Sequence, residues 1–166
     1  MKGQSLVEVL VALALAAVII TGVIFAITSA LNNAQFSRNQ NLATAYAQQG
    51  MEAVRAMRDA GKAMTDAGLI GFFLLTGNYC LAKDSNTLAA RAGPDCEDEG
   101  DIFVSGIHFI REIRFQSGSD CGSGNIKVTL QVQWSDSKCR LIPSKTYCHQ
   151  AELISCFSNA NVVPTP

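Results

Sequence analysis

The sequence predicts an α+β protein: one long N-terminal helix, apolar in its first half and amphipathic in its second, packed on a small antiparallel β-meander. Three observations predict it. The run from Leu6 to Leu31 is apolar almost throughout and holds a single charge, Glu8. From Asn32 to Ala60 apolar residues recur at helical intervals, with no Pro and only one Gly. Beyond Gly61 the pattern turns to alternation, the period of a strand.

The first element follows from length and composition. A spanning helix needs ~20 apolar residues, which Val9 to Leu31 supplies. A secretory signal peptide is the competing reading, with Lys2 as its charged start and Thr28-Ser29-Ala30 as a poor cleavage site. The apolar run is longer than a signal core, and a carboxylate just before that core suits neither a signal nor a plain anchor. Downstream, Phe36, Ala43, Ala47, Met51, Val54 and Met57 form one stripe, while Arg38, Glu52, Arg55 and Asp59 fall largely off it. Gly61 stands where a helix stops. One continuous helix from about Ser5 to Ala60 is expected, its stripe serving as packing surface.

Three strands come next. Ile107, Phe109, Arg111, Ile113 and Phe115 alternate with His108, Ile110, Glu112 and Arg114, although Ile110 and Arg111 blur the two faces. Ile126, Val128, Leu130, Val132 and Trp134 alternate cleanly with polar neighbours, as in a half-buried strand. Tyr147 to Phe157 forms a third, less regular run. Gly- and Ser-rich or polar stretches at 117–125 and 136–145 separate the three, so an antiparallel meander is the economical topology. The amphipathic helix covers its apolar face. Between Gly61 and Gly106, Leu69 to Leu75 is apolar, Asn78 to Ala82 suits a short strand, and Gly93 to Asp101 is an acidic loop. That loop lacks the spacing of an EF-hand, and a short charge run is ordinarily solvated.

A net charge of −1 gives no basic field for nucleic acid, so none is expected as a partner. No G-x-S-x-G or comparable nucleophile motif is present, and no enzymatic activity is expected. All six cysteines follow the apolar run; none forms a C-x-x-C pair, and His108 and His149 lack helical ligand spacing. No metal and no cofactor are expected, and disulfides are the preferred reading. With Lys2 held inside, the cysteines fall on the far side of the membrane. In a meander, Cys139 and Cys148 flank one hairpin loop, and Cys156 returns beside the turn holding Cys121. This leaves Cys80 with Cys96, one scheme among 15.

Lys2-Gly3 followed by Gln4-Ser5-Leu6-Val7-Glu8-Val9-Leu10-Val11-Ala12-Leu13 resembles the class III signal of type IV prepilins and pseudopilins. The resemblance implies cleavage after Gly3 by prepilin peptidase and N-methylation of Gln4. It also implies that Glu8 pairs with the amine of a neighbouring subunit. Tyr46 to Arg55 is similar to a helix segment of minor pilins, and the helix, loop, meander and tail follow the family's type IV pilin-like plan. Gln4 stands where the family usually has Phe, and an N-terminal Gln can also cyclise.

The implied organisation is a leader at 1–3, a transmembrane and assembly helix at 4–31, an amphipathic helix at 32–61 and a disulfide-stapled head at 62–166. The implied partners are other pilin or pseudopilin subunits, prepilin peptidase, an inner-membrane assembly platform and, before assembly, membrane lipid. The head is expected outside the cytoplasm, in an extracellular pilus or a periplasmic pseudopilus. A membrane-tethered extracellular binding domain that never assembles is the alternative function.

Overall fold

A computed structural model describes residues 4–65, 67–84, 87–91, 93, 96, 101–117, 121–122, 124–136, 139 and 147–158. The chain divides into two compact units, Met1–Asn39 and Gln40–Pro166. Helix α1 spans Gln4–Asp59. It stops where Gly61 adopts a φ of +68°, a left-handed conformation that glycine reaches without Cβ strain, and its N–H donates to the Arg58 carbonyl at 2.8 Å.

The second unit is α+β. Its strands are β1 (Lys62–Thr65), β2 (Gly68–Gly71), β3 (Gly77–Leu81), β4 (Thr87–Ala90), β5 (Ile102–Val104), β6 (Ile107–Ser117), β7 (Asn125–Trp134) and β8 (His149–Ser158). Among the described residues they form one eight-stranded sheet in the order β2-β1-β4-β3-β6-β7-β8, with β5 paired to β6. The expected meander forms one end of it: β6, β7 and β8 pair antiparallel, with Ile113 opposite Leu130 and Leu130 opposite Leu153. The sheet is wider than the three or four strands expected, and β1 pairs β4 in parallel. The short strand expected at Asn78 to Ala82 is β3, and the four added strands have three or four residues each, too short for alternation to mark them.

The predicted stripe becomes the packing face of α1 from Ala43 onward, while Phe36, its first member, is half-buried. Ala43, Ala47, Met51, Val54 and Met57 are buried, as are Ile126, Val128, Leu130, Val132 and Trp134 of β7. Tyr46 meets Phe109 edge to face at 5.4 Å between centroids, and the Arg58 guanidinium sits 5.3 Å from the centre of the Phe157 ring. Phe72, in a 3-10 turn at Phe72–Leu74, meets both Phe115 and Phe157.

The helix approaches the sheet closely at Gly50. A Cβ there would lie 2.5 Å from Leu130 Cδ1 and 3.1 Å from Leu81 Cδ2. The branched side chain of Gly50→Val must therefore displace two buried leucines, against a helix-propensity gain of less than about 1 kcal/mol. A net loss of about 1–3 kcal/mol is expected in denaturant unfolding of the full chain. Adding Leu130→Val should recover part of it; equal losses with and without that change would contradict the close approach.

Strand β6 is buried on both faces from Phe109 to Ile113, which explains its blurred alternation. Arg111 belongs to the face shared with Phe109 and Ile113, is fully buried, and donates to the Ala82 carbonyl. Burial lowers its pKa from the usual guanidinium value, opposed by the charge of Asp84 and by Tyr46. On the opposite face Ile110 packs with Cys80 and Cys96, flanked by Ala89 and Tyr147. Beside them Glu112, also buried, accepts from Arg91 at 2.7 Å.

Candidate functional site

The first unit is helical by composition. Leu and Ala dominate, Pro is absent, and the β-branched Val and Ile residues cost only tenths of a kcal/mol each in propensity, on the order of 0.5. Every residue from Leu6 to Leu31 is exposed, among them Leu6, Leu13, Ile19 and Phe25, the last at 78%. Its two threonine hydroxyls are satisfied within the helix: Thr21 donates to the Ala17 carbonyl, and Thr28 to the Ile24 carbonyl at 2.8 Å. Such back-bonding hides polar atoms where no water can serve them. Among the described residues this is the one helix long and apolar enough to cross a membrane, and it is compatible with a single-pass protein.

Within that surface Glu8 is exposed, two turns before Leu15 on the stripe it shares with Val11 and Ala12. Gln4 opens α1 one turn earlier. Gly3, the expected cleavage position, lies outside the described residues. An apolar surface of this extent needs lipid or the same surface of another chain. A carboxylate within it needs a cation or a donor from whichever covers it.

Neither a protein-family model, nor a characterised protein, nor a solved structure matches the chain. The reading of the site therefore stands on its geometry and on the sequence.

All six cysteines form disulfides, Cys80–Cys96, Cys121–Cys156 and Cys139–Cys148, with Cα separations of 5.4, 5.7 and 5.3 Å. These are the pairs that the meander suggests. They indicate an oxidising compartment for the second unit. The acidic loop contributes little to the description: residues 94–95 and 97–100 lie outside the described residues. Its last member, Asp101, meets His108 Nδ1 at 2.6 Å, with Phe103 against the His108 ring.

Sequence reasoning did not anticipate Arg111 as a core residue, nor the approach of Asp136 to His149 at 3.1 Å. Arg111 carried a signal, since it sits in the apolar register of β6. The other pair carried none, because the pairing of Trp134 with His149 across β7 and β8 brings it together.

Proposed function

We propose that the chain is a non-enzymatic structural subunit, a minor pilin or pseudopilin, of a type IV pilus or type II secretion-like filament. One observation carries the reading: an exposed apolar helix bears a lone carboxylate, Glu8, at a fixed offset from Gly3. A helix that only anchors gains nothing from that charge. A helix that bundles with copies of its kind gains a partner for it, the free amine that cleavage after Gly3 creates on Gln4. The succession of long helix and antiparallel sheet, and a disulfide-stapled second unit, agree with this plan.

Processing separates the reading from a tethered binding domain. Intact-mass measurement on protein recovered from its native membrane is expected to give a chain that begins at Gln4. Met1 retained in the assembled protein would remove the filament reading and leave the tether.

A further inference from the structure

At the adjoining ends of β7 and β8 four side chains able to ligate a metal come together, remote in sequence from Glu8. An Asp136 carboxylate oxygen, the sulfurs of Cys139 and Cys148, and a His149 ring nitrogen all lie within 4.8 Å of one another. Cys139 is buried and the other three are half-buried. Two features hold the cluster in place. The Asp136 N–H donates to Cys139 Sγ at 3.3 Å, while the Cys139 N–H donates back to the Asp136 carbonyl at 3.1 Å. The His149 ring stacks on Trp134 at 5.4 Å between centroids and 28° between planes, across the β7–β8 register.

Those distances suit a tetrahedral ion. With ordinary zinc–ligand bond lengths, a tetrahedron has an N···O edge of ~3.4 Å and an S···S edge of ~3.8 Å. Asp136 Oδ2 and His149 Nε2 already stand 3.1 Å apart. The two sulfurs are bonded to each other, and reduction must part them before both can bind an ion. An N–H donor to sulfur stabilises a thiolate more than it stabilises a disulfide. Thiolate, imidazole and carboxylate together are a zinc donor set, and four protein ligands make a closed, structural site.

We propose that reduction of Cys139–Cys148 converts this corner into a Zn²⁺ site held by Asp136, Cys139, Cys148 and His149. The reductant is a thiol or a phosphine. A phosphine delivers two electrons to the S–S bond, takes an oxygen atom from water and becomes the phosphine oxide, leaving two thiols. Binding of Zn²⁺ then displaces the two thiol protons to solvent. A small-molecule disulfide reverses the sequence by thiol–disulfide exchange: it accepts the two electrons and leaves as two thiols, the Cys139–Cys148 bond re-forms and the ion is released. The corner is closed in either state, by metal before oxidation and by the covalent bond after it. This inference does not depend on filament assembly.

The test uses the full chain in detergent micelles, reduced with a trialkylphosphine, desalted without oxygen and titrated with Co²⁺ and then Zn²⁺. One equivalent of Co²⁺ is expected to give thiolate charge-transfer and tetrahedral d–d bands, which Zn²⁺ bleaches. Asp136→Asn and His149→Ala should each weaken Zn²⁺ binding about tenfold or more. The Cys139→Ser/Cys148→Ser variant should lose the bands, and Cys121→Ser/Cys156→Ser should keep them. Absence of charge-transfer bands in the parent chain, or unchanged bands without Cys139 and Cys148, overturns the proposal. A second readout holds where reduction loosens the sheet: Zn²⁺ should slow alkylation at Cys139 and Cys148 relative to the other four cysteines. Equal protection at all six, or none, overturns it too.

Discussion

Arg111→Ala is expected to destabilise the second unit by about 3–5 kcal/mol, from the cavity that truncation leaves and from the loss of a donor to a carbonyl. The guanidinium is fully buried in the helix-facing register of β6 and donates to the Ala82 carbonyl, so the change removes packing and a hydrogen bond together. Arg111→Met separates the two. It keeps an apolar stem of similar length and removes the cost of desolvating a charge, so a loss of no more than about 1–2 kcal/mol is expected, or a small gain. Trp134, the one tryptophan, lies buried on the neighbouring strand and reports unfolding by its fluorescence. If alanine is tolerated as well as methionine, the side chain does not pack as described.

Glu8→Leu is expected to leave membrane insertion and cleavage after Gly3 intact while incorporation into the filament falls at least about tenfold. A more apolar span inserts no worse, since acidic side chains only oppose insertion. In the bundle, however, the change leaves the Gln4 amine of a neighbour buried without its counter-charge, a penalty of ~3–5 kcal/mol for a fully buried pair. Glu8→Gln keeps a hydrogen-bond acceptor and the side-chain shape, so a smaller fall is expected. The quantity to measure is the ratio of protein in sheared filaments to protein in membranes, for the parent and both variants. Unchanged ratios would mean that Glu8 makes no assembly contact, and the tethered-domain reading would take its place.

How much of this was legible depends on the range of the interactions involved. The stripe from Ala43 to Met57 and the alternation from Ile126 to Trp134 are local periodicities, and both became buried faces. Strands β1, β2, β4 and β5 have three or four residues each, and their partners lie elsewhere in the chain. Met64 pairs with Thr87 only because the sheet's order places β1 beside β4, which no local pattern announces. Ile110 looked like a flaw in β6, yet it is where the Cys80–Cys96 bridge roofs the sheet's second face. At the candidate site, Gly3, Gln4 and Glu8 were singled out because the resemblance that names them is a linear feature of the sequence, and Glu8 lies exposed on the apolar helix. The cluster of Asp136, Cys139, Cys148 and His149 was not, because it depends on the register in which β8 pairs with β7.

The pairing of Cys121 with Cys156 has a mechanical consequence. The two cysteines are 35 positions apart and enclose β7 together with nearly all of β8. Tension applied between the N-terminal helix and the C-terminus passes directly across that bond, so the enclosed chain bears no load. At about 3.4 Å per residue, roughly 120 Å of contour length is withheld from extension while the bond is intact. The β7–β8 ladder is thus shielded from being peeled apart, and a chain pulled from both ends yields first in β1 to β6.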